Sequence, residues 1–216
     1  PLKLYGSTNS LAGGTLFQGN GTANGMDIQN TRNIELHHFR FTGALHGLAM
    51  LNVSQIQAAF IESFNNRSNG IWVLNGADVE TRNSRLWKNG RYGYASADNT
   101  SGGQNLLGSS IWGNQAGAVY NTRGTLNISN SILCVTNATD IITEAGIWEM
   151  TGDYNLYGTV PGSRIGTNSV EKTGYANLRQ WQAKARDIHS LVVDPLFVDP
   201  AAGNFHLQSR AGYWSN

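Results

Sequence analysis

The chain is short of charge. Only 13% of its 216 residues are Asp, Glu, Lys or Arg, and the formal net charge is +1. So even a balance leaves no electrostatic footprint for nucleic acid and no basic surface to draw the chain to a membrane. One cysteine, Cys134, excludes an internal disulfide, so the fold must stand on its own core. No apolar run is long enough to span a bilayer, and no secretory hydrophobic segment is present. The acids form no dense cluster able to gather oxygens around Ca²⁺, and His37, His38 and His46 lack both zinc spacing and a cysteine partner. The sequence therefore implies no metal and no cofactor.

What it has instead is glycine, 26 residues of it, set among many Asn and Ser, with 40% hydrophobic residues recurring in register. Gly and Asn accept the left-handed conformations of tight turns, and the regular apolar content excludes disorder. Gly25, Gly47, Gly70, Gly93 and Gly117 stand 22, 23, 23 and 24 residues apart, each opening a short alternating run and a polar turn. The clearest copies are Gly47-Leu48-Ala49-Met50-Leu51-Asn52 and Gly70-Ile71-Trp72-Val73-Leu74-Asn75. A fixed period of this length marks stacked repeats, and the absence of any 3.6-residue apolar stripe makes them strands.

Each repeat holds a second inward pair, Ile34/Leu36, Ile56/Ala58, Val79/Thr81 and Leu126/Ile128, with the residue between them facing out. A third patch ends in Phe64, Trp87 or Trp112, which the spacing predicts as a stacked column inside the core. Asn30, Asn52, Asn75 and Asp98 predict a ladder of hydrogen-bonded turn side chains. The repeat at 93–116 is the least regular, and the beat is lost after residue 140. Beyond it a strand is expected over 153–157 and a short helix over 178–184 with Asn177 as its N-cap. The expected architecture is all-β: a parallel β-helix with about 22–24 residues per rung. Rungs fill 1–157, and 158–216 form a loop, a short helix and closing strands that cap the same domain. Starting and stopping beside strands, the chain reads as a piece of a longer protein with further rungs upstream, whose remainder would be its partner.

These rungs resemble those of right-handed parallel β-helix proteins, the pectate-lyase-like superfamily. So does the tail Asp187-Ile188-His189-Ser190, followed by Asp194-Pro195-Leu196-Phe197-Val198-Asp199-Pro200 and Gly203-Asn204-Phe205-His206-Leu207, similar to the closing segment of secreted bacterial members. The resemblance implies a right-handed coil, an extracellular or cell-surface setting and a polysaccharide partner. Its members act as hydrolases, lyases or epimerases; the alternative within the same fold is a structural stalk, adhesin or tail-fibre segment without catalysis.

Candidate site residues follow from outward positions. Glu35 and Glu80 flank Gln57 on one face, two rungs or about 9.6 Å apart, near the ~6.5–9.5 Å of an inverting carboxylate pair. Trp72, between inward Ile71 and Val73, faces outward among small column neighbours (Asp27, Ala49, Ala95 and Val119), where its ring can stack on a sugar. Arg82, Arg85, Lys88 and Arg91 read as one basic cluster able to hold an anionic polysaccharide.

Overall fold

A computed structural model of the chain describes residues 1–7, 14–98, 102–146, 150–185 and 187–208. Strands stack in parallel into a β-solenoid of about 6 turns, with 55% strand and 5% helix. Three ladders make three faces. The strands Met26–His37, Leu48–Ala59 and Ile71–Arg82 each run through the first face and then the second. They bend where two residues adopt positive φ: Asn30 and Asn33, Asn52 and Gln55, Asn75 and Asp78. Asn and Asp pay least for that conformation because their short polar side chains bond locally. Here they do so in series: the Asn52 amide donates to Asn30 Oδ1 at 3.0 Å and that of Asn75 to Asn52 Oδ1 at 2.9 Å. The third face stacks Phe39–Thr42, Glu62–Phe64, Arg85–Trp87, Ser110–Trp112, Ile132–Cys134 and Leu156–Gly158.

Alternation fills the interior. Leu48, Met50, Ile71 and Val73 point in from the first face, and the expected pairs Ile56/Ala58, Val79/Thr81 and Leu126/Ile128 point in from the second. Each buried aliphatic side chain contributes about 1.5–3 kcal/mol relative to exposure. From the third face the inward residues are Ser63, Leu86, Ile111, Leu133 and Tyr157, which corrects the expectation for the aromatics. Phe64 and Trp87 do stack, with centroids 4.4 Å apart, but on the outside of the coil, in register with Trp112. The closing hairpin of Phe197–Asp199 and Asn204–Leu207 covers Trp87, with Phe205 edge-on to its ring at 5.5 Å.

Two buried polar columns replace apolar packing at the corners. Asn66 donates to Asn89 Oδ1 and Asn89 to Asn114 Oδ1, both at 2.9 Å. The hydroxyls of Ser84, Ser109 and Ser131 each accept a backbone N–H from the preceding rung. Groups this buried need partners, and each rung supplies those of the next.

The repeated glycine has a steric cause. A Cβ on Gly25, Gly47 or Gly70 would lie 2.6–2.7 Å from the carbonyl oxygen of the next glycine in the column. Gly117 is not in that column: Tyr92 pairs with Gly117, so Ala118 lies beside Gly93. The rung between them is 25 residues long, and the apparent 24-residue step is a slip of one.

The coil also persists past residue 140. Ile142–Glu144 and Gly166–Asn168 extend the first face, Met150–Asp153 the second, and Leu191–Val192 the third. The strand expected over 153–157 is broken by a corner at Tyr154, φ 57°, between the strands Met150–Asp153 and Leu156–Gly158. The helix Leu178–Ala185 is capped as expected, with the Gln180 N–H on Asn177 Oδ1 at 3.1 Å. No helix among the described residues is long and apolar enough to cross a membrane.

Cys134 is buried beneath this end of the coil, and burial pushes its thiol up to about 12. Only the thiolate is an effective nucleophile. Native protein is therefore expected to resist iodoacetamide at pH 8 and to label fully in denaturant; labelling of native protein at the denatured rate would contradict the burial.

Candidate functional site

The alternation that buries Ile71 and Val73 turns Trp72 outward on the first face, as the sequence predicts. Its column is Asp27, Ala49, Trp72, Ala95 and then Tyr120, not Val119, because of the one-residue slip. That change matters, since a second aromatic now shares the face. Trp72 stacks on His46 with centroids 5.7 Å apart and planes 15° from parallel. Two rungs on, Tyr120 stacks on Tyr92 at 5.0 Å, and the Arg91 guanidinium lies 5.9 Å from the Tyr92 ring centre. Between the two stacks opens a pocket of about 290 Å³, rimmed by Asn69, Asp98 and Thr122. Ala97 of the irregular rung lines it, a small side chain where a larger one would fill the space.

His46 and Tyr120, one ring of each stack, are uncharged at neutral pH. Burial, then nearby Arg91, lowers the pKa of His46, so its ring is neutral at pH 7, and Nδ1 accepts the Asn69 N–H at 3.3 Å. Burial, then Tyr92, raises the pKa of Tyr120, which stays a hydroxyl. Arg91 and Asp98 supply one charge of each sign.

Glu35 and Glu80 line a separate shallow groove of about 410 Å³ on the second face, with Gln57 in register between them. Lys3 sits 2.8 Å from Glu35 and His37 3.7 Å away. The hydrogen bond from Lys3 is the main cause that holds the Glu35 carboxyl below its ordinary range. Glu80 has Arg82 at 3.5 Å. Glu35 is thus held as a carboxylate at neutral pH and is no proton donor.

The four cations do not make one patch. Arg82 ends a second-face strand beside Glu80, Arg85 starts a third-face strand, Lys88 occupies a corner with φ 53°, and Arg91 reaches the Trp72 pocket. Arg82 and Arg85 fall on different faces, so closeness in sequence does not put them on one surface. Sequence reading also passed over Glu62, whose carboxylate bridges Arg40 (Nε to Oε2, 2.9 Å) and Arg85. The available signal was opposite charge at one-rung spacing, Arg40, Glu62, Arg85. Compared with family models, characterised proteins and solved structures, the chain matches none.

Proposed function

We propose that this solenoid is an extracellular polysaccharide-binding domain of the right-handed, pectate-lyase-like kind, and that the Trp72 face is its principal contact. The observation that carries the reading is the pair of ring stacks, His46–Trp72 and Tyr92–Tyr120, on either side of an open pocket. Flat apolar rings suit the C–H faces of a pyranose, while Asn69, Asp98 and Thr122 suit its hydroxyls. A hydrolytic role would fall to Glu35 and Glu80 as the carboxylate pair, with Lys3 holding Glu35 ionised.

The test is titration with neutral, uronate-containing and sulfated oligosaccharides, read by tryptophan fluorescence and by calorimetry. One class is expected to bind saturably, and Trp72→Ala to weaken it roughly ten- to hundredfold, as loss of an aromatic anchor worth about 1.5–3 kcal/mol. Unchanged affinity in Trp72→Ala, or no binding of any glycan, would overturn the reading in favour of a structural coil.

A further inference from the structure

A second concavity lies elsewhere, on the third face, as a groove of about 660 Å³. Its floor is the outward column Arg40, Glu62 and Arg85, three successive rungs in register. One carboxylate bridges two guanidiniums, which leaves a formal excess of one positive charge. The side chains stay partly open, 28% exposed for Arg40, 18% for Glu62 and 42% for Arg85. Arg85 reaches across to the far wall, where its Nη1 lies 3.4 Å from the Gly203 carbonyl. The near wall is a corner where His38 and Phe60 hold positive φ and stack, centroids 4.8 Å apart and planes 5° from parallel. Bulky rings are rare in that backbone conformation. Phe60 remains 46% exposed, so it presents a flat plate to the groove.

From this geometry we infer a second binding site, for an oligosaccharide carrying an anionic group, either carboxylate or sulfate. The Arg40 and Arg85 guanidiniums would receive the anion and the Phe60 ring the apolar face of the sugar. Arginine suits the task because its planar fork of five donors matches a carboxylate or sulfate and stays charged. A half-enclosed groove strengthens that attraction relative to open water. Glu62 competes for the same guanidiniums, so it sets the affinity as an internal rival anion. The site shares no residue with the Trp72 pocket, so the two stand or fall separately.

The experiment is calorimetric titration of the whole chain with an oligouronate, a sulfated oligosaccharide and a neutral oligosaccharide, with a single-stranded oligonucleotide as the control polyanion. Binding of the oligouronate or the sulfated chain is expected, weakening with added salt, and the arm that binds names the anion. Arg40→Gln/Arg85→Gln should lose at least about tenfold, the scale of a charge-assisted hydrogen bond. Phe60→Ala, at a half-exposed position that leaves the core intact, should lose a few-fold, and Glu62→Gln should gain affinity. Four outcomes overturn the inference: no binding of either anionic sugar, equal binding of the neutral one or of the oligonucleotide, affinity unmoved by both the arginine and Phe60 variants, or a loss confined to Trp72→Ala.

Discussion

Gly70→Ala is expected to lower the melting temperature by roughly 6–12 °C, the equivalent of about 3 kcal/mol in a chain of this size. The added Cβ would lie 2.7 Å from the Gly93 carbonyl oxygen and 2.9 Å from Asn89 Nδ2. Neither neighbour can step aside. The first is backbone in the next rung, and the second is a buried amide already donating to Ser63 O and Asn114 Oδ1. Moving it breaks the asparagine column, and burying an unpaired amide adds its own penalty of about 1–3 kcal/mol. The control is Gly103→Ala, where a Cβ would meet nothing within 4 Å, and where the melt should shift by less than about 0.5 kcal/mol. Equal melting temperatures for Gly70→Ala and wild type would refute the steric account of the repeat.

That same clash explains why the period was legible. Glycine recurs because each one lies against the backbone of the next rung, and asparagine recurs because each corner needs a left-handed residue. Both are local demands, repeated once per turn, so they mark the sequence directly. Phase is harder. The rung from Tyr92 to Gly117 carries extra residues between its first two strands, and nothing in the composition says where they are absorbed. The resulting slip put Val119 where Tyr120 stands. Most third-face strands are also only three residues long, too short for alternation to reveal which side is in. Spacing alone places Trp87 in a core column, yet Leu86 takes that place, and Phe205 covers Trp87 from outside.

The candidate site was legible to the same degree. Trp72 could be placed outward from its two neighbours alone. Its partners could not, because Tyr92 and Tyr120 come from later rungs and depend on the phase. The arginines illustrate the converse: Arg82, Arg85 and Arg91 are near in sequence but lie on different faces of the coil. Long-range register, rather than residue type, is what a single sequence hides here.

Asp187→Ala is expected to release the C-terminal cap while leaving the middle of the coil folded. Asp187 is 1% exposed, and its carboxylate collects the Tyr157 hydroxyl, the Ser190 hydroxyl and the Trp181 indole N–H at 3.3 Å. All three donors are themselves buried, and removing the acceptor strands them together, at a cost of about 3–5 kcal/mol. Those donors tie together the parts of the cap. Tyr157 belongs to the third-face strand Leu156–Gly158, Trp181 to the helix, its ring abutting Gly166, and Ser190 accepts the Asn155 N–H. Solenoid rungs couple chiefly to their nearest neighbours, so the damage should stay at this end. Hydrogen exchange should accelerate across 150–192 and remain slow across 26–97, while Trp181 emission shifts red. With the cap loosened, the strand edge at Leu156–Gly158 loses its partner Leu191–Val192 and becomes available to other chains, so the variant should also aggregate on mild heating. Uniform acceleration along the whole coil would show instead that cap and rungs unfold as one unit, and unchanged exchange would show that the Asp187 cluster does not hold the cap.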